Sequence, residues 1–184
     1  MAIDATEVRV AGAGKVYAAP EGSTLPTDPT AALDAAFVDL GYVTTDGVTF
    51  THGRETEDLD AWQGTKVRVL TLSEPYSVEF ALMQTSADSL LLAFGGGSVT
   101  DNTTYWTFSP PAAGTNEVRA LVIDFQDGTL NYRYVIPRAQ VEGEISYTLT
   151  REGAVTYPIS FGVLDNDPKF QIITDDNALS TSTL

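Results

Sequence analysis

Apolar and polar residues alternate with a period of two through much of this chain, the spacing of β-strands that bury one face. The clearest hairpin is Val118-Arg119-Ala120-Leu121-Val122-Ile123-Asp124-Phe125, followed by Gln126-Asp127-Gly128-Thr129 and then Leu130-Asn131-Tyr132-Arg133-Tyr134-Val135-Ile136. Asp-Gly tolerates the positive φ angles of a tight turn, so residues 117–137 are predicted to form a hairpin. A second hairpin is predicted over residues 141–164, with Arg151-Glu152-Gly153-Ala154 as its turn. A third pair, 66–72 and 76–83, is joined through Ser73-Glu74-Pro75, where the proline suits a turn and not a central strand. Shorter strands are expected at 7–10, 15–18 and 42–51.

Two stretches break the period. Ser86 can cap a helix over 86–94 in which Ala87, Leu90, Leu91 and Phe94 share a face, Asp88 favours the positive N-terminal end and Gly95 stops the element. Asp28-Pro29 offers a cap and a first-turn proline to a shorter helical excursion over 30–36. Residues 22–29, 95–114 and 165–184 are rich in Gly, Pro, Ser, Thr and Asp and read as loops or, for the last, an extended tail. The fold class is therefore mainly β, in one domain.

The strands are two-faced. Val141, Ile145, Tyr147 and Leu149 oppose Glu142, Glu144, Ser146, Thr148 and Thr150, and Val155, Tyr157, Ile159, Phe161 and Val163 oppose Thr156, Pro158, Ser160 and Gly162. Tyr76, Val78, Phe80 and Leu82 likewise oppose Ser77, Glu79, Ala81 and Met83. One face is core and the other acidic or hydroxylic, which by itself fits an ordinary sandwich with a wet outer face.

Charge sharpens this picture. Asp and Glu number 25 against 10 Lys and Arg, a net charge of −15 with a pI near 4.1. Tight binding to duplex DNA draws on basic side chains that neutralise phosphates, and this chain has few. Cysteine is absent, so neither disulfides nor thiolate metal sites are available. There is no apolar run of membrane-spanning length and no basic, hydrophobic start of the signal-peptide kind, so a soluble protein that acts where it is made is expected.

Catalytic chemistry finds little to work with. The single histidine, His52, has no partner at triad or metal-ligand spacing. Gly12-Ala13-Gly14-Lys15 resembles part of a phosphate loop, but Arg9 stands where its first glycine belongs and Val16 where a magnesium-holding hydroxyl belongs. Asp165-Asn166-Asp167 opens like a calcium loop that Phe170 and Asp176 then break. Asn102-Thr103-Thr104 matches a glycosylation sequon, a chance match in a polar loop. The carboxylates of Glu55-Thr56-Glu57-Asp58-Leu59-Asp60 read first as a solvated loop. No catalytic residue, metal site or cofactor is expected.

Read as a continuous string, the first half resembles the major tail proteins of siphophages infecting actinobacteria. The likeness runs through Gly14-Lys15-Val16-Tyr17-Ala18-Ala19-Pro20, Leu25-Pro26-Thr27, residues 33–48 with Asp39-Leu40-Gly41-Tyr42, and Arg54-Glu55-Thr56-Glu57-Asp58-Leu59-Asp60-Ala61-Trp62-Gln63-Gly64. It continues through Val78-Glu79-Phe80-Ala81-Leu82 to Phe94-Gly95-Gly96-Gly97, covers roughly residues 8–165, and rests on order and density of matches.

The resemblance implies a β-sandwich or partial barrel with one flanking short helix, closing into a continuous inner β-barrel in a hexameric ring. A tail tube domain would span 1–165, with an inter-ring loop at 51–64 and a helix at 86–94, and 166–184 would be an extended C-terminal tail. Glu79, Glu142, Glu144, Ser146 and Thr148 would then face the lumen. Arg54, Glu55, Glu57, Asp58, Asp60 and Trp62 would form the inter-ring loop, with Trp62 as its buried anchor. The implied location is the virion tail, assembled in the host cytoplasm. The implied partners are further copies of the chain, a tape measure protein inside the growing tube, and tail terminator and distal tail or baseplate proteins at its ends, with duplex DNA crossing the lumen without tight binding. Alternatives are the tube protein of a contractile injection system, a head decoration protein, or a carbohydrate-binding module stacking sugars on Trp106, Tyr105 or Trp62.

Overall fold

A computed structural model describes residues 5–179. Its strands, in chain order, are β1 (Ala13–Pro20), β2 (Val38–Asp39), β3 (Val43–His52), β4 (Glu55–Asp60), β5 (Lys66–Ser73) and β6 (Tyr76–Leu82). After the helix α1 (Ala87–Ala93) come β7 (Ser98–Asp101), β8 (Trp106–Ser109), β9 (Val118–Asp127), β10 (Leu130–Glu142), β11 (Tyr157–Val163) and β12 (Gln171–Thr174). Eight strands form one sheet in the order β2-β1-β9-β10-β11-β6-β3, with β12 added to β10, while β4-β5 and β7-β8 are separate two-stranded ribbons. The fold is mainly β with one short helix, as the alternation predicts.

The sheet rolls around its apolar face. Val16, Val78, Leu82, Leu121, Ile136 and Phe161 are buried in one cluster, and α1 contributes Leu92 and Ala93 to it. The opposite side of β1, β9 and β10 carries a smaller cluster in which Phe37 covers Ala19, Ala120, Val122 and Val135. At roughly 25 cal/mol per Å² of apolar surface removed from water, these side chains supply most of the driving force for the roll.

Two local predictions hold in detail. Residues 118–142 form the hairpin β9-β10 around Gly128, whose φ is +61°. In α1 the Ser86 hydroxyl accepts from the Ser89 N–H at 3.1 Å. The helix ends as Gly96 N–H reaches the Leu91 carbonyl and Gly95 N–H that of Leu92, with Gly95 at φ +68°.

Elsewhere the pairing departs from the sequence reading. β5 and β6 both exist, but they do not pair with each other: β5 pairs with β4, and β6 lies between β3 and β11. Gly53 N–H bonds to the Pro75 carbonyl at 2.9 Å, so β3 runs on into β4 and β5 into β6 as the two limbs of one long ribbon. Its turn lies at residues 61–65, where Ala61 N–H bonds to the Thr65 carbonyl at 2.8 Å and Gly64 takes φ +75°. The acidic segment expected as a loop is therefore one strand of a projecting arm.

The hairpin predicted over 141–164 keeps only its second strand, β11. Val141 and Glu142 end β10, Gly143 turns the chain at φ +80°, and residues 144–156 run without ladder partners because both edges of β11 are taken by β10 and β6. No helix forms over 28–36. The Asp28 carboxylate accepts from the Thr30 and Ala31 N–H groups, and the carbonyls of Asp28 and Ala31 are held by the Arg133 guanidinium at 2.8 Å each. The strand expected at 7–10 is absent, and Ala5–Glu7 forms a single 3-10 turn instead. Two segments read as loops form strands: β7-β8 within 95–114, anchored where Phe108 meets Phe94 at 5.2 Å, and β12 within the expected tail.

Both terminal segments are tied to β10. Arg9 donates to Tyr132 Oη at 2.9 Å and to Asp176 Oδ2 at 2.7 Å, and the Tyr132 hydroxyl donates to the same carboxylate oxygen. The Tyr132 hydroxyl, the Ala178 N–H and Arg9 together hold the Asp176 carboxyl at about 2, against the desolvation that opposes them.

Candidate assembly surfaces

The polar face of the sheet is built by register. Glu142 of β10 lies opposite Ser160 of β11, Ser160 opposite Glu79 of β6, and Glu79 opposite Thr49 of β3. One residue along, Val141, Phe161, Val78 and Phe50 align the same way on the other face, with Phe161 and Val78 buried in the core and Phe50 left exposed at its edge. Because side chains alternate across a strand, four strands thus present an unbroken acidic and hydroxyl row on one side and an apolar row on the other.

Ser160 Oγ bonds Glu79 Oε1 at 3.4 Å, and the Glu142 carboxylate lies over Gly162, in the space a β-carbon there would take. Glu144 joins Asp46 and Glu79 around a shallow depression on this face. Of the expected polar-face residues, Glu79, Glu142 and Glu144 are therefore brought together. Ser146 and Thr148 lie in the unpaired 144–156 segment, exposed and outside the row.

The β4-β5 arm is the second surface. Every residue of β4 is exposed, as are all but one of β5. Arg54 pairs with Glu74 at 2.7 Å, Asp58 with Lys66 at 2.5 Å, and Glu55 accepts from the Ser73 hydroxyl at 3.1 Å. Glu57 and Asp60 have no ion-pair partner among the described residues. Trp62 at the turn is 100% exposed, and Leu59, Val67, Val69 and Leu72 are each at least half exposed. A ribbon of this length with nothing beneath it is not stabilised by its own fold. Within the single chain Trp62 is not an anchor, because nothing covers it. The base of the arm is braced: His52 stacks on Tyr76 at 4.2 Å, and Tyr76 meets Phe170 at 5.5 Å. That is the place His52 fills.

The third surface lies at the other end of the sheet. β6 runs from Tyr76 at the arm to Leu82, which faces Tyr157 of β11, so α1 and the 144–156 segment stand opposite the arm. Ile145 and Val155 root this segment in the core, Tyr147 packs on Tyr157 at 5.1 Å, and Leu149 is 74% exposed. Tyr105 and Trp106 are exposed on the β7-β8 ribbon, a separate ribbon from the one that carries Trp62. Among the described residues no three metal-ligating side chains converge, and no helix is long and apolar enough to cross a membrane. Alternation marks Glu79, Glu142 and Ser160 as polar-face residues, but that they join with Thr49 in one row across β10, β11, β6 and β3 is set by cross-strand register, which alternation within one strand does not encode.

A family model described as "Phage tail tube protein" matches residues 1–183. Among solved structures the chain is similar to a chain of the virion of a native gene transfer agent particle, at 11% identity, covering 95% of this chain and 100% of that one, with a TM-score of 0.41. It is also similar to a chain of the tail of an empty gene transfer agent particle, described with C6 symmetry, at 11% identity over 90% of this chain and 96% of that one, with a TM-score of 0.38. No curated protein matches it.

Proposed function

We propose that this chain, which belongs to the phage tail tube protein family, polymerises as stacked six-membered rings into the tube through which a siphophage passes its DNA. The role is structural and located in the virion tail. The single observation that carries the lumen assignment is the Glu142–Ser160–Glu79–Thr49 row. Turned inward, β10, β11, β6 and β3 line a channel with carboxylates and hydroxyls that offer phosphates no cation. A basic wall would grip the duplex instead, since even non-specific contacts give dissociation constants of about 10⁻⁴ to 10⁻⁶ M.

Closure fits the same strands. β3 ends the sheet with its outer edge unpaired among the described residues, and pairing it with the next subunit removes an aggregation-prone edge. The arm reaches the neighbouring ring and buries Trp62 there. During assembly in the host cytoplasm the lumen holds a tape measure protein, and terminator and distal tail or baseplate proteins bound the tube.

Negative-stain microscopy of the purified protein at rising concentration tests the reading. Hollow tubes of uniform diameter that retain no duplex DNA at physiological salt are expected. A protein that stays monomeric at every concentration, or whose tubes bind DNA, overturns it.

A further inference from the structure

Ten lysines and arginines serve this chain, and eight of them are ion-paired within it: Arg9, Lys15, Arg54, Lys66, Arg119, Arg133, Arg138 and Lys169. Among the described residues Arg68 and Arg151 alone have no anionic partner. Arg68 belongs to the arm itself, on β5. Arg151 sits at the exposed bend of the 144–156 segment, at the end of the sheet opposite the arm.

From this distribution we infer that the arm of one copy docks on the 144–156 segment of the next, Arg151 pairing with Asp60 and Leu149 covering Trp62. The inference rests on the tube reading and names the partner surface of the arm.

Three observations support it. The two elements project from opposite ends of one sheet, so joining them places copies head to tail. Such a contact repeats along an axis without needing a two-fold. The arm carries two unpartnered carboxylates, Glu57 and Asp60, and an acidic surface on an acidic protein must find a cation that is not already neutralised. Both elements also expose apolar side chains with nothing over them, Trp62 at 100% and Leu149 at 74%. Glu152 follows Arg151, so the bend is neutral at a distance and the attraction acts only on contact.

Charge reversal tests this on the full chain. Arg151→Glu should raise the concentration needed for tube growth by about tenfold or more, the lower range measured for interfacial charge pairs. Asp60→Arg should do the same. Arg151→Glu combined with Asp60→Arg should restore growth to within about threefold of the original protein. Arg151 contacts no partner within the chain, so the melting curves of all variants should coincide. Unimpaired growth of Arg151→Glu, or a double reversal that fails to restore it, overturns the docking while leaving the tube reading intact. Failure of the unaltered protein to form tubes strikes the tube reading instead.

Discussion

Replacing Glu79 and Glu142 by lysine reverses the charge of the row that the account turns inward. Each substitution shifts the subunit by two charges, from −15 to about −11 for the pair, and a six-membered ring gains about 24 positive charges' worth of change at its wall. The apolar row behind is untouched, so Val78, Phe161 and Val141 still pack and tubes should still grow. If about six phosphates are engaged at a time, affinity falls by roughly 10³-fold or more between about 50 and 200 mM salt. Genome ejection from phage carrying both lysines should therefore stall at low salt and recover as salt rises. Glu79→Gln with Glu142→Gln is the control, since it removes repulsion without adding attraction. Ejection kinetics of the lysine variant identical to the original at every ionic strength would refute the inward placement of these carboxylates.

Excising residues 55–73 and joining Arg54 to Glu74 by a short turn should leave circular dichroism of the sheet intact and abolish tube growth, and Trp62→Ala should weaken growth; normal polymerisation of the excised protein would rule the arm out as an inter-ring contact. Phe161→Ala empties a fully buried site beside Phe80 and should cost about 3–5 kcal/mol in denaturant unfolding. Asp176 has its carboxyl lowered from 3.8 to about 2, so its contribution is complete above pH 3.8 and is lost as pH falls through about 2. Melting temperature should drop over that interval, and Asp176→Asn should flatten this component; an unchanged acid profile would show that the Arg9–Tyr132–Asp176 cluster does not hold the termini.

Strands were readable where one face is core and the other wet. Tyr76–Leu82 and Tyr157–Val163 carry that signature and lie where alternation places them, whereas Val118–Asp127, buried on both faces, was placed by its Asp127-Gly128 turn. What alternation does not encode is the partner. Ser73-Glu74-Pro75 looks like a hairpin turn, but Gly53 bonds Pro75 across the ribbon and the true turn is at Gly64, a signal present in Trp62-Gln63-Gly64-Thr65. Residues 144–150 alternate as well as any strand, yet β11 has no free edge to offer them. The helical cap at Asp28 was locally sound and lost to Arg133, 105 residues away, which takes the carbonyls a helix would need. β12 was hidden by its polar flanks, although Gln171-Ile172-Ile173-Thr174 is strand-like. Of the polar row, alternation puts Glu79, Glu142 and Ser160 on polar faces and the likeness to tail proteins points Glu79 and Glu142 to a lumen, whereas Thr49 and the joining of all four require the register.

A helical reconstruction of the polymer formed by the purified protein would show which strands line its channel. A hollow six-fold tube is expected, with β10, β11, β6 and β3 as its inner wall, Glu79, Ser160 and Glu142 facing the channel and Val78 and Phe161 facing away. A polymer with those carboxylates on its outer surface, or with no channel, would contradict it.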